Sequence, residues 1–507
     1  MNSNKIIQAS IFMVALILAI TLSVTVFTSG SNNLGSAFFY IITPLACMIA
    51  IASPRTGFWI LVFCGGYLDL VKRLMILERN ISYQHIASIL ALGPSIVAGI
   101  TANLFFNLIT KKVQWQPWQT RVLTICLVWA VLGTLISGGY KSGLQGLGDV
   151  INFIVYPFLI LSTPQLFNTT ESIRSAIIKI TVIYTPVCLY ALWQVQNGLA
   201  AFEIDYLRSG FSVVSQTLEE RQLRVFSTMG GPSQLAMVCA AIAVILVSPV
   251  SLRGKFGFQY LFNPFKLAIA ALFIAAIANT YVRAAWLVLI VSLVIFVATR
   301  YKISTFLLYF GGIATVIALY VSSPYLLKYD IMRELTEQSM DTSMGYASDE
   351  EFQAKNLTTF NARLHGMSEM MTNPDLWEPF GLSLAGRENV ATGLLIHDFV
   401  TRTLISIGYV PLAFIIISCL ISSFLILRFN SRLIATHEVN LFRLMVSIAV
   451  GYMAVMPIGE KNLFTFPTNM MHVAYMSFAL GLYIANIKHQ KVKLSNPPAP
   501  ILQSQDS

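Results

Sequence analysis

The stretch Phe265-Lys-Leu-Ala-Ile-Ala-Ala-Leu-Phe-Ile-Ala-Ala-Ile-Ala-Asn279-Thr-Tyr-Val-Arg283-Ala-Ala-Trp-Leu287-Val-Leu-Ile-Val-Ser-Leu-Val-Ile-Phe-Val-Ala-Thr299 is two apolar runs that almost touch. Its charges are Lys266 near the start and Arg283 in the narrow connection. Runs of this length without internal charge read as membrane helices. Working outward with a window of about twenty residues places further spans near 6–27, 36–53, 57–71, 86–109, 121–138, 150–167, 174–194 and 233–250. The pair quoted above follows at 265–281 and 284–299, then 304–323, 403–427, 441–458 and 467–487. The expected fold is therefore all-α, a polytopic bundle of about 12–14 spans.

Composition agrees with that reading. Of 507 residues, 56% are hydrophobic and 11% charged, and the mean hydropathy is +0.70. A soluble domain needs roughly 25% charged residues to coat itself. The net charge of +10 does not point to nucleic acid, because Lys and Arg sit in short turns with no basic stripe or binding motif. The charge follows topology instead. With the N-terminus in the cytoplasm, the inner turns collect Arg55; Lys111, Lys112 and Arg121; Arg174; Arg253, Lys255 and Lys266; Arg300 and Lys302; Arg428, Arg432 and Arg443. The segment Lys72 to Arg79 is the main exception, basic yet on the external side.

The six cysteines (Cys47, Cys64, Cys126, Cys188, Cys239 and Cys419) are scattered within apolar runs. Neither a zinc site nor a disulfide framework is encoded, so no metal and no cofactor is expected. The first run, from Ile6 to Phe27, is too long for a signal-peptide core and reads as an uncleaved anchor.

The chain then divides into membrane helices over 1–195, an external loop at 196–232, membrane helices at 233–323, a large external loop at 324–395, and membrane helices at 396–487. The Pro-rich tail, 488–507, is expected to be disordered and cytoplasmic. Connections between helices usually run two to eight residues, so the long loop suggests function. Inside it, Thr358-Thr359 is an N-cap ahead of Phe360, Leu364, Met367 and Met371, with Pro374 as the stop.

Three charged groups stand where topology does not require them. Arg283 lies at a helix start, where free N–H groups and the dipole already favour an anion. Arg224 precedes the tight turn Gly230-Gly231-Pro232, with Ser227 and Thr228 as donors and Arg221 beside Glu219 and Glu220. His397 sits where the long loop returns to the membrane, in Leu395-Ile-His-Asp398-Phe. Snorkelling or interfacial anchoring would account for any one of them. Together, two guanidiniums that grip a diphosphate and an imidazole that handles a hydroxyl proton equip a site for displacing a diphosphate. The absence of DxD, HExxH and a Gly-rich nucleotide loop argues against nucleotide-sugar or ATP chemistry.

At these residues the chain resembles the O-antigen ligase and polymerase superfamily, membrane glycosyltransferases that use polyprenyl-diphosphate-linked glycans. The resemblance runs from about Leu223 to Gly408. It rests on Arg224-Val-Phe-Ser-Thr with Gly231-Pro232, Arg283-Ala-Ala-Trp-Leu, Asn361-Ala-Arg363, Pro379-Phe-Gly381, His397-Asp-Phe and Ile407-Gly408. It implies a GT-C-like fold in the bacterial cytoplasmic (inner) membrane, a periplasmic active face and metal-independent transfer.

On that footing Arg224 and Arg283 hold the diphosphate of the lipid-linked donor, and His397 engages the acceptor hydroxyl or the leaving group. Arg363 contacts glycan or phosphate, with Arg221 and Asp398 as further substrate-binding candidates. Asp398 departs from the Asn or Ser more usual in the family and would raise the pKa of His397. The implied partners are the donor, a glycan or lipid A core acceptor and membrane lipids. Ligase and polymerase differ only in the acceptor and stay open here. A lipid-linked-oligosaccharide flippase is the rival from another class, and an assembly subunit without chemistry is the third reading. Transporters tend to carry internal repeats and charges deep in their spans, which are not evident in this chain.

Overall fold

The computed structural model describes residues 41–76, 89–137, 151, 154–208, 224–250, 252, 264–301, 321, 368, 371–380, 399–417, 438–455 and 465–495. Among them the secondary structure is helical and contains no sheet. In chain order the helices are α1 (Thr43–Ala52), α2 (Pro54–Ile76), α3 (Leu92–Ile109), α4 (Pro117–Ser137), α5 (Leu159–Leu166), α6 (Thr170–Asn197), α7 (Ala201–Arg208) and α8 (Pro232–Val247). They continue with α9 (Pro264–Thr280), α10 (Arg283–Arg300), α11 (Phe399–Ile407), α12 (Val439–Val455) and α13 (Thr468–Ser495).

Four of them, α3, α6, α10 and the 468–487 part of α13, are long and apolar enough to cross a membrane, and shorter apolar helices accompany them. Their outward faces carry apolar side chains, with Ile125 and Val131 on α4, Val182 on α6 and Ile290 on α10 all more than half exposed. Water would penalise such a surface, whereas lipid solvates it. The protein is a helical membrane protein.

At the centre stands α8, buried on every side from Leu235 to Leu246. A helix apolar all round belongs in a core. Ala236, Ala240, Ala241 and Ala243 keep it thin enough for α9, α10 and α13 to close upon it. The Tyr452 hydroxyl of α12 donates to Met237 O at 2.8 Å, a bond that satisfies this hydroxyl in the interior.

Turns at one end of the bundle are tied to each other. Arg55 donates to Leu166 O at 2.8 Å, and Lys266 Nζ meets Ser248 O and Val250 O after the last turn of α8. Thr170 donates to Glu438, whose other carboxylate oxygen accepts from Asn486 at 2.9 Å.

Helix boundaries follow local chemistry. Pro54 opens α2 at a position where its missing N–H is not needed. Thr169 and Ser172 form a reciprocal cap on α6, and Gly198, at φ 77°, ends it.

Four expectations need correction. The span expected at 150–167 is not one crossing helix: a 3₁₀ turn, Tyr156–Phe158, leads into α5, which has only eight residues, one of them Pro164. The span expected at 403–427 breaks at Gly408, whose φ of 87° suits glycine alone, and a second helical stretch runs from 409 to 417. Residues 488–495, expected in a disordered tail, continue α13 up to Asn496-Pro497, where the residue before proline avoids the helical region. Lys72 and Arg73, expected in a turn, lie within α2.

The break at Gly408 is occupied. Tyr409 N donates to Glu378 O at 3.1 Å and Val410 N to Pro379 O at 3.3 Å, so part of the long loop caps the second half-helix. Two motif fragments far apart in sequence, around Pro379 and Gly408, thus meet. Pro374 opens a 3₁₀ turn, Pro374–Leu376, directly after the helical residues 371–372. Residues 358–367 lie outside those described. Replacing Gly408 with Ala should strain this corner by about 1 kcal/mol, because an L-side chain resists positive φ. A lowered thermal midpoint in detergent, without loss of insertion, is the expected reading.

Candidate functional site

The end of the bundle opposite the Arg55 turns gathers the last turns of α2, α6 and α9, all of α7, and the first turns of α8 and α10. Residues 224–231 cross it as a strap. Val225 N donates to Asn279 O at 3.3 Å and Arg224 Nε to Thr280 O at 3.2 Å. Thr280 lies three residues before Arg283, the first residue of α10. The fold therefore brings Arg224 and Arg283 to one corner, between α9 and α10.

The corner itself is tightly turned. Tyr281 has a φ of 54°, and Thr280 Oγ1 accepts from Val282 N at 3.3 Å. Val282 supplies no side-chain cap to α10. Arg283 is exposed and Arg224 half-buried. Among the described residues neither has a carboxylate partner, since the ion pairs there are Lys72–Asp69 and Arg73–Glu203.

Beyond Arg224 the strap runs inward. Val225, Phe226, Ser227, Thr228 and Met229 are all buried. The two hydroxyls expected to serve a ligand are already engaged: Ser227 Oγ donates to Val187 O at 2.5 Å and Thr228 Oγ1 to Gly66 O at 2.6 Å. That is a correction, and its cause is burial, which obliges each hydroxyl to find a protein acceptor. Gly230 lies against Asp69, where an added methyl would come within 2.8 Å of the carboxylate. Gly231 and Pro232 then start α8, as the turn motif suggests.

A buried charge centre holds the strap from beneath. Arg73 NH1 and NH2 donate to Ser227 O and Met229 O, and NH1 also reaches Glu203 Oε1 at 3.3 Å. The guanidinium stacks 4.3 Å above the Phe226 ring and 5.9 Å from that of Tyr206. Gln194 completes the set, donating Nε2 to Glu203 Oε1 at 2.8 Å and accepting Ser227 N on Oε1 at 2.8 Å. Glu203 Oε2 takes Ala200 N at 3.0 Å, so the carboxylate is bonded on both oxygens. Beside it Lys72 pairs with Asp69 at 2.8 Å and faces Tyr206.

Sequence reading missed Arg73, Glu203 and Gln194. The signal that marked them was the basic exception beginning at Lys72. Such a charge needs a partner, and the loop after α6 supplies it. Lys72→Met should destabilise the protein by about 1–3 kcal/mol, because it leaves the largely buried Asp69 carboxylate without its partner. Thermal unfolding in detergent, compared with wild type, would measure it.

Of the remaining candidates, Arg221, Arg363, His397 and Asp398 lie outside the described residues. Among the described residues no cluster of His, Cys, Asp and Glu has the make-up of a metal site. Cys188 Sγ and Cys239 Sγ lie 3.4 Å apart as thiols inside the bundle. No family model, curated protein or solved structure matches this chain.

Proposed function

We propose that this chain transfers a polyprenyl-diphosphate-linked glycan to an acceptor hydroxyl, at the external face of a bacterial cytoplasmic membrane. The observation that carries the reading is the corner where Arg224 meets α9 and Arg283 opens α10. A cation at the start of a helix works against the helix dipole, so Arg283 does not stand there for the helix's sake. Exposed beside a second guanidinium and without a carboxylate partner among the described residues, it suits an anion that arrives from outside the chain.

A diphosphate anchored by a lipid tail meets both conditions, since its tail lies among helices and its charge at their ends. Departure of the diphosphate is the step that gathers negative charge, and the two arginines would stabilise it there. His397, two residues before α11 in the sequence, would orient the acceptor hydroxyl or take its proton. The family resemblance supports the same roles, in a GT-C-like bundle.

The experiment is the chain-length distribution of lipid-linked glycan in cells lacking the gene. Long polymer stranded on its carrier beside bare acceptors would identify a ligase, and single external repeat units a polymerase. Units trapped on the cytoplasmic leaflet would replace the proposal with a flippase.

A further inference from the structure

Arg73 is the one charged residue among the large fully buried side chains described. Neutralising Glu203 would account for part of its placement and leave the rest unexplained. Its two terminal nitrogens reach Ser227 O and Met229 O, carbonyls two residues apart on the strap, while its face lies on Phe226, the residue before them. Gln194 fixes the amide of Ser227 from the other side. Ser227 itself adopts a φ of 54°, a left-handed conformation that an L-residue other than glycine holds only when its surroundings impose it. The strap is thus clamped at Phe226, Ser227 and Met229. Directly before the clamp comes Val225, hydrogen-bonded to Asn279, and then Arg224, whose Nε rests on Thr280 O.

The geometry points to Arg73 as a positioning residue. It clamps the strap so that Arg224 stays at the α9–α10 corner, where its guanidinium and that of Arg283 address one diphosphate. This rests on the diphosphate-holding role given above to the corner. Arg73 touches no substrate. It acts through the backbone of 225–229, and Glu203 and Gln194 hold it in register. A clamp of this kind sets how far apart two anion-binding groups stand, a quantity to which bidentate recognition is sensitive.

The test uses the full-length protein in proteoliposomes, with inorganic diphosphate as the binding probe and glycan transfer as a second readout. The clamp is removed by Arg73→Gln together with Glu203→Gln, so that neither charge is left buried alone. Diphosphate binding should weaken about tenfold, in a protein that inserts normally. In an Arg224→Ala background the same two changes should weaken binding no further, because the residue they position is gone. Unaltered binding in the first case, or a further loss in the second, would overturn the inference. Should the double variant not insert, Gln194→Met, which removes the acceptor for Ser227 N, takes its place with the same expected and overturning results. Arg283→Ala separates the two levels: if it binds diphosphate and transfers glycan like wild type, the diphosphate reading of the corner fails. If it loses both while the clamp variant loses neither, only the positioning role fails.

Discussion

Arg283→Ala should reduce glycan transfer at least about a hundredfold while leaving the protein folded and inserted. Removing a donor aimed at charge that develops in the transition state costs about 2.7–4 kcal/mol. Each 1.36 kcal/mol is a factor of ten in rate, so the lower end of that range already approaches a hundredfold. Little structural loss should accompany it. The side chain is exposed, it has no ion pair among the described residues, and it opposes the α10 dipole.

Arg283→Lys makes the test sharper. The charge remains but the planar fork that takes two phosphate oxygens does not, so its rate should fall between those of wild type and Ala. Initial rates with purified donor and acceptor in proteoliposomes would decide the matter. A well-inserted Ala variant that transfers at the wild-type rate would end the assignment of Arg283 to the diphosphate.

The helices around this corner were legible because lipid imposes a one-dimensional rule: apolar run, short turn, apolar run. The expected spans 265–281 and 284–299 became Pro264–Thr280 and Arg283–Arg300, nearly residue for residue. The rule fails where backbone geometry, with hydropathy unchanged, interrupts a run, as Pro157 and Pro164 do before α6 and Gly408 does after α11.

It is also blind to pairing across the bundle. Arg73 and Glu203 are 130 residues apart, and no periodicity links a helix end to a carboxylate on a short loop helix. The charge pattern marked that place as irregular without naming the partner. Ser227 and Thr228 show the complementary error. A hydroxyl beside a Gly-Gly-Pro turn reads as available, yet packing turns both inward onto carbonyls. Arg224 and Arg283 were legible as candidates because each breaks a topological rule. That they share one corner follows from the strap, which hydropathy does not describe.

The buried pair yields the largest expected change in stability, and its sign pattern separates a charge pair from simple packing. Arg73→Met keeps most of the side-chain volume on Phe226 but leaves the Glu203 carboxylate inside, with Gln194, the Ala200 amide and the Tyr190 hydroxyl but no cation in contact with it. It also leaves the Ser227 and Met229 carbonyls without their donor. Breaking one side of a buried pair costs about 3–5 kcal/mol, because the surviving charge is desolvated and unmatched. Glu203→Gln keeps a similar shape and strands the opposite charge. It should be the milder change, since Arg73 still has two carbonyls and two aromatic faces.

Combining Arg73→Met with Glu203→Gln removes both charges, so the double variant should be less destabilised than the sum of the singles by about 0.5–3 kcal/mol. Unfolding of the four proteins in detergent measures that coupling. It should persist in high salt, because water and ions do not reach the pair. If the two losses simply add, Arg73 and Glu203 are not energetically a pair, and the strap is held by the shape of its pocket alone.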